Sequence, residues 1–403
     1  MSVVIMITAW LLIVPVVFGQ ELPPAGTVID KTNYKQYADL FPKEYLPVFE
    51  TGFNGLMPLG KMVVSKTKQY PMCSEFMEYS KKNIGKYSID ASGNITPKFY
   101  YEGLPFPDLK PGDKDFVKKL MWNYDGKYLV DDAWDDGSGG SIEKRRGEKI
   151  RVNQASSIWL LFSNRMFEDP KPDLPSANGL YKVFLLNYIK PESIKNTITL
   201  SYRFLDQTKP DETYLYLPSM RRVIRAEAGQ RSTPVTGSAS ALDDFTVFDG
   251  RTPDFTYTLV GEQKVLGVPN SMLTPEKARE FIARDELPVD VENYEVRDCY
   301  VIDITPKDPK YPQSKKRIYL DKETLWAYYG IAWDRAGNLW KIWTQPTKSF
   351  SMPNGEKIIY NLGQMSIDLQ FGMATQYVPN YTINTNRFSY ADVTPQSLLK
   401  RAR

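Results

Sequence analysis

The chain has 403 residues, with 51 Lys and Arg against 48 Asp and Glu, and it contains no histidine. So even a balance excludes nucleic-acid binding through a concentrated basic face. The missing histidine excludes Ser-His-Asp and Cys-His catalysis and histidine-ligated metal or haem sites.

Residues 3–18 form an uncharged apolar run, followed by Gly19, Gln20 and the polar ELPPAG. That length suits a signal-peptide core better than a membrane span. Residues 1–20 are therefore expected to be a signal peptide and the mature chain to be periplasmic, with a retained N-terminal anchor as the competing reading. The stretch 32–53 mixes helical spacing with proline breaks and predicts short surface helices. Helices are also predicted over 71–87 and over 114–125, where Phe116, Val117, Leu120 and Met121 share a face. The overlapping WNYDGKYLV (122–130) reads as a hairpin.

Asp132, Asp136, Gly137 and Glu143 fall at the first, fifth, sixth and twelfth positions of a calcium-loop template. Trp134 occupies the third, where an oxygen ligand is needed, so the stretch reads as a solvated acidic loop and no metal is expected. GSGGS at 137–141 lacks the Gly-Lys-Ser/Thr of a P-loop. EKRRGEKIR (143–151) reads as a solvated basic face.

Runs rich in β-branched and aromatic residues predict strands over 181–189, 196–205, 212–218, 255–260, 294–304, 316–321, 325–333 and 338–343. Asp334 to Asn338 joins the last two as a hairpin. Connections are too short for helical crossovers, so the sheet is expected to be antiparallel. Thr274 and Pro275 start a helix over 273–287, and a second Thr-Pro pair starts one over 393–403. Cys73 and Cys299 are read either as one long-range disulfide or as two buried thiols.

Two charged clusters interrupt this pattern. YLPSMRRVIRAEAG (216–229) carries Arg221, Arg222 and Arg225 just past a strand, and ALDDFTVFDGR (241–251) returns Asp243, Asp244, Asp249 and Arg251. The favoured reading is a clasp in which the three arginines hold Asp243, Asp244 and Asp249. The rival is a cationic mouth for an anionic head group or a partner loop. Trp326, Trp333, Trp340 and Trp343 lie on two hairpin strands beside Tyr328 and Tyr329, as core or as cavity lining. Candidate ligand-binding residues are Tyr214, Tyr216, Arg221, Arg222, Arg225, Trp326, Tyr328 and Trp340.

The order TYLYLPSMRRVIRA, ALDDFTVFDGR, RIYLDKETLWAYYGIAWDRAGNLWKIW resembles a periplasmic family known as domain of unknown function 1329. That family is related to the outer-membrane lipoprotein-sorting, LolA/LolB-like proteins. The similarity runs from about Gly26 to a strand at 366–377. The resemblance implies an α+β, mostly antiparallel fold, a curved half-barrel covered by helices, with an apolar cavity suited to acyl chains. On that basis 21–403 is expected to be one half-barrel domain with helical extensions at both ends. The expected role is an exported, non-enzymatic carrier of a lipid or other hydrophobic molecule, without cofactor. It would serve lipid or lipoprotein traffic or an exporter, with an envelope transporter or outer-membrane protein as partner. The alternative is a structural or adaptor protein of the envelope that binds partner proteins. A carboxylate-dependent hydrolase ranks last.

Overall fold

The computed structural model describes residues 22–97, 102–127, 130–227, 231–235 and 237–402. The segment read as a signal peptide lies outside them. Among the described residues, fifteen strands join in one sheet. The first half holds β1 (Asp132–Asp135), β2 (Gly140–Arg145), β3 (Arg151–Leu161), β4 (Leu180–Lys190), β5 (Ile198–Phe204), β6 (Glu212–Leu217) and β7 (Arg222–Ala226). The second holds β8 (Phe255–Gly267), β9 (Glu295–Pro306), β10 (Gln313–Asp321), β11 (Ala327–Asp334), β12 (Leu339–Thr344), β13 (Gln364–Asp368), β14 (Met373–Val378) and β15 (Tyr381–Ile383).

The order across the sheet is β7-β6-β5-β4-β3-β2-β14-β13-β12-β11-β10-β9-β8, antiparallel throughout. Residues 141–143 of β2 pair with the start of β3, and β1 pairs with its second half, so the sheet forks there. β15 extends the fork by pairing with β1. The ends β7 and β8 do not meet, and the barrel stays open.

Both faces are covered, which is why β4 reads as a nearly continuous apolar run and not as an alternation. On one face Ile331, Ile342, Met365 and Ile367 pack against Phe41, Tyr45, Phe49 and Phe53 and the helix Pro275–Ala283. Thr274 caps that helix by accepting from the Lys277 amide at 3.3 Å. On the other face Ile302, Ile318, Leu320 and Trp343 pack beneath the helix Phe116–Asp125 and the loop residues Val247 and Phe248. The C-terminal helix Pro395–Arg401 covers β5 and β6 through Leu398.

Several expectations need correction. The short helices expected over 32–53 are present between Tyr34 and Gly55, but they are not on the surface, because Phe41, Phe49 and Phe53 are core. Trp122 to Asp125 continue a helix, since Trp122 and Tyr124 bury, and the end of the expected hairpin (128–129) lies outside the described residues. EKRRGEKIR joins β2 to β3, and its Glu143 is buried. The strand expected over 366–377 is the hairpin of β13 and β14. Cys73 and Cys299 are free and buried. Among the described residues no helix is long and apolar enough to cross a membrane.

Candidate functional site

Side chains on one strand alternate between faces, and the register aligns Trp159 of β3 with Phe184 of β4, and Ser141 of β2 with Tyr377 of β14. The same face continues through Gln364 of β13. These residues, with Ala155, Leu186 and Tyr381, line a cavity of about 80 Å³ covered by loop residues between Val235 and Thr246. The surface it presents is mainly aromatic and aliphatic, from residues such as Trp159, Phe184, Leu186 and Phe245, and suits an apolar chain, while Ser141, Ser238, Ser240, Thr246, Asn361, Gln364 and Thr375 add polar groups to the wall.

The loop over the cavity is ALDDFTVFDGR. Three consecutive side chains enter three different places. Asp243 accepts from Arg231 Nε at 2.8 Å and from Tyr311 Oη at 3.2 Å. Asp244 accepts from Lys316 Nζ at 2.8 Å, and Lys341 Nζ lies 3.5 Å away. The Phe245 ring stands edge-on to Phe184, centroids 5.1 Å apart, and 6.2 Å from Trp159. Further on, Asp249 accepts from Lys182 at 3.0 Å, from Arg203 at 3.2 Å and from Arg231 at 2.8 Å. Asp211 and Arg203 complete this network at 2.8 Å.

Burial alone would raise these carboxyls. The Lys316 and Lys341 ammoniums outweigh it at Asp244 and hold that carboxyl below the usual range. Arg203, Lys182 and Arg231 do the same at Asp249, and Arg203 and Arg231 at Asp211. At Asp243 burial prevails over Arg231 and the carboxyl is raised.

Close approach of the loop depends on Gly330 in β11, where a Cβ would fall 2.4 Å from Val247 Cγ1. The loop backbone is also strained: Thr246 and Val247 have φ of 51° and 71°, a region that β-branched residues avoid. The amide of Val247 donates to Gln364 Oε1 at 2.7 Å, and Gln364 Nε2 donates to the Asp244 carbonyl at 2.9 Å.

The predicted site residues lie elsewhere. Arg221, Arg222 and Arg225 are exposed, and Arg225 pairs with Glu212 at 2.7 Å. They do not reach Asp243, Asp244 or Asp249, because β7 is the outermost strand while the acids lie over the sheet's interior. The cations that do are Lys182, Arg203, Lys316 and Lys341 from strands and Arg231 from the loop. Arg251 donates to the Gln207 carbonyl and sits 3.6 Å from Asp254. Tyr214 donates to Glu212 at 2.7 Å, and Tyr216 packs in the cluster that holds Leu398. Trp326 donates to the Ile359 carbonyl at 3.2 Å, Tyr328 packs over Gly267, and Trp340 donates to Asp368 at 3.1 Å. None of the eight candidate ligand-binding residues lines the apolar cavity.

Asp132 and Asp135 are not in a solvated loop. Asp132 is buried in β1 and accepts from the Thr385 and Asn386 amides, both at 2.9 Å. Asp135 accepts from Tyr377 Oη at 2.8 Å. These carboxylates tie the chain beyond β14 to the sheet. Among the described residues no cluster of three or more His, Cys, Asp or Glu could hold a metal ion.

The family model described as "Protein of unknown function (DUF1329)" matches residues 28–398. Among solved structures, a domain named for outer membrane lipoprotein sorting, from Vibrio parahaemolyticus, superposes with a TM-score of 0.51 at 15% identity. The match covers 71% of this chain and 99% of that one. A DUF1329 family protein from Desulfovibrio piger superposes with a TM-score of 0.50 at 16% identity, covering 69% and 96%. A LolA superfamily protein from Nitrosomonas europaea gives 0.42 at 11% identity, covering 69% and 97%. No curated protein matches. With its open antiparallel sheet and covering helices, the chain shares the fold of the Vibrio lipoprotein-sorting domain and belongs to the DUF1329 family.

Proposed function

We propose that the protein is an exported carrier that binds a lipid or other hydrophobic molecule in the cavity between β3, β4 and the ALDDF loop. The observation that carries this reading is the placement of Phe245. The loop's own aromatic ring lies against Trp159 and Phe184, where an apolar ligand would lie. Burying acyl surface there is worth roughly 0.8 kcal/mol per CH₂. At about 80 Å³ the partly open cavity suits a short chain, and a longer one gains room when Phe245 moves aside. Asp243 and Asp244 are committed to different partners, and the reading assigns them no acid–base work. The lipoprotein-sorting name of the Vibrio domain supports traffic between membranes, or to an exporter, as the setting.

A second reading, an adaptor that docks a protein partner, draws on Phe371, which is 65% exposed beside Trp340 and Met373. Mass spectrometry of an organic extract of the protein purified from its native envelope separates the two. A stoichiometric hydrophobe supports the carrier. An empty extract after gentle purification contradicts it and favours the adaptor.

A further inference from the structure

Next to the apolar cavity lies a second, smaller one of about 20 Å³, and Trp159 and Thr246 line both. The smaller cavity is polar, with Lys127, Lys182, Asp125 and Asp249 on its walls. An apolar compartment thus adjoins a charged one across Trp159 and Thr246.

Lys127 is the buried cation here with donors to spare. It is 5% exposed and follows the helix Phe116–Asp125. An ammonium has three donors, and among the described residues this one makes a single hydrogen bond, to the Tyr124 carbonyl at 3.0 Å. Otherwise it faces the rings of Tyr124 at 3.6 Å and Trp326 at 4.8 Å. Among the described residues no carboxylate lies within 4.0 Å of it. The charged groups facing it are already engaged: Lys182 with Asp249 and Asp125, and Asp249 also with Arg203 and Arg231. Around the smaller cavity Lys127, Lys182, Arg203 and Arg231 match Asp125, Asp211, Asp243 and Asp249 in number, but these four carboxylates pair with the other three cations. A buried cation left without a carboxylate partner favours an incoming anion.

We propose that Lys127 receives the anionic head group, carboxylate or phosphate, of a single-chain amphiphile whose tail lies against Trp159 and Phe184. The proposal rests on the carrier reading above and narrows its ligand class. Thr246, the strained residue beside Phe245, lines both cavities and lies where the head would pass from one to the other. Burial, with Lys182 acting in the same direction against Asp125 and Asp249, pushes the Lys127 ammonium down to about 7. An anion at hydrogen-bond distance reverses that shift, so binding draws a proton from solvent near neutral pH.

Calorimetric titration with octanoate, octanol and inorganic phosphate at pH 6 and 8.5 tests this on the full chain and on Lys127→Met. At pH 6 octanoate should bind about tenfold tighter than octanol, the worth of a charge-assisted hydrogen bond. The preference should shrink at pH 8.5 in the wild type, where Lys127 has lost its charge, and vanish in Lys127→Met with octanol affinity unchanged. The wild-type pH comparison holds even if the variant fails to fold. Equal affinities for octanoate and octanol, or a preference that survives in Lys127→Met, would overturn the proposal alone. Phosphate binding as tightly as octanoate would show a free-anion site and overturn it too. If neither octanoate nor octanol binds, the carrier reading falls with it.

Discussion

Asp244, with no exposed surface, lies between the ammonium groups of Lys316 and Lys341, 2.8 Å from the first and 3.5 Å from the second. Both lysines come from the sheet and the aspartate from the loop, so this ion triad pins the loop to the face that carries the apolar cavity. Breaking such a buried group costs more than replacing it with apolar residues. Asp244→Ala leaves two buried ammoniums without a carboxylate and should cost about 3–5 kcal/mol in denaturant unfolding. The triple change Asp244→Leu, Lys316→Met, Lys341→Met should cost less than the single one. The reverse order would show that the triad does not act as a unit.

The same pin should loosen in acid. Asp211, Asp244 and Asp249 have carboxyls held below the unfolded value of 3.8. Their contribution is therefore complete above that value and is lost as the pH falls through the lower folded values. The protection of the Val247 amide against hydrogen exchange, relative to the intrinsic rate at each pH, should fall in acid before that of the β11 amides does. An equal loss of protection at both would contradict local release.

Phe245 sets the free volume of the cavity. Phe245→Ala removes a partly buried ring and should destabilise by about 2 kcal/mol. It should also tighten binding of decanol, because the space vacated between Trp159 and Phe184 accepts more of the chain. Unchanged decanol affinity in titration would show that Phe245 does not limit the site.

The surface arginines should matter little. Arg222→Ala and Arg225→Ala are expected to change stability by less than about 0.5 kcal/mol, since one is exposed and the other pairs with Glu212 at the sheet edge. Arg203→Ala, which strands Asp211 and Asp249, should cost about 3 kcal/mol or more. Thermal melts of the three variants give the ranking directly.

Asp290 works against stability at neutral pH. Burial raises its carboxyl from 3.8 to about 6, opposed by the Ser271 hydroxyl. A raised folded value means that the carboxyl's contribution is full below 3.8 and is lost as the pH rises through about 6. Asp290→Asn should therefore raise stability by about 1–2 kcal/mol at pH 7, with no gain below pH 4. A gain of the same size at both pH values would show that ionisation is not the cause.

Much of the sheet was legible because strands such as YKVFLLNYI are covered on both faces and read as apolar runs. β3 was missed because its first half, RVNQASS, is polar, as expected where a strand borders a fork and a partly polar cavity. Trp159, which with Thr246 lines both cavities, lies on that strand. The acids of ALDDF stood out as a motif, but their partners did not. Lys182, Arg203 and Lys341 are single charges inside apolar strand runs, and Lys316 is one of three consecutive cations at 315–317, so nothing local marks them as partners of the acids. The nearby arginine cluster drew the pairing to itself by proximity in sequence, whereas the sheet order sends those arginines to the outer edge. A charge placed where the strand pattern demands burial was the signal available.

The central claim is that the cavity against Trp159 and Phe184 takes an apolar chain. Photo-crosslinking with an alkyl diazirine, followed by peptide mapping, tests it most directly. The account predicts adducts on the peptides that carry Trp159, Phe184 and Tyr377, suppressed by excess octanol. Adducts confined to the exposed surface around Phe371, or insensitive to octanol, would contradict it.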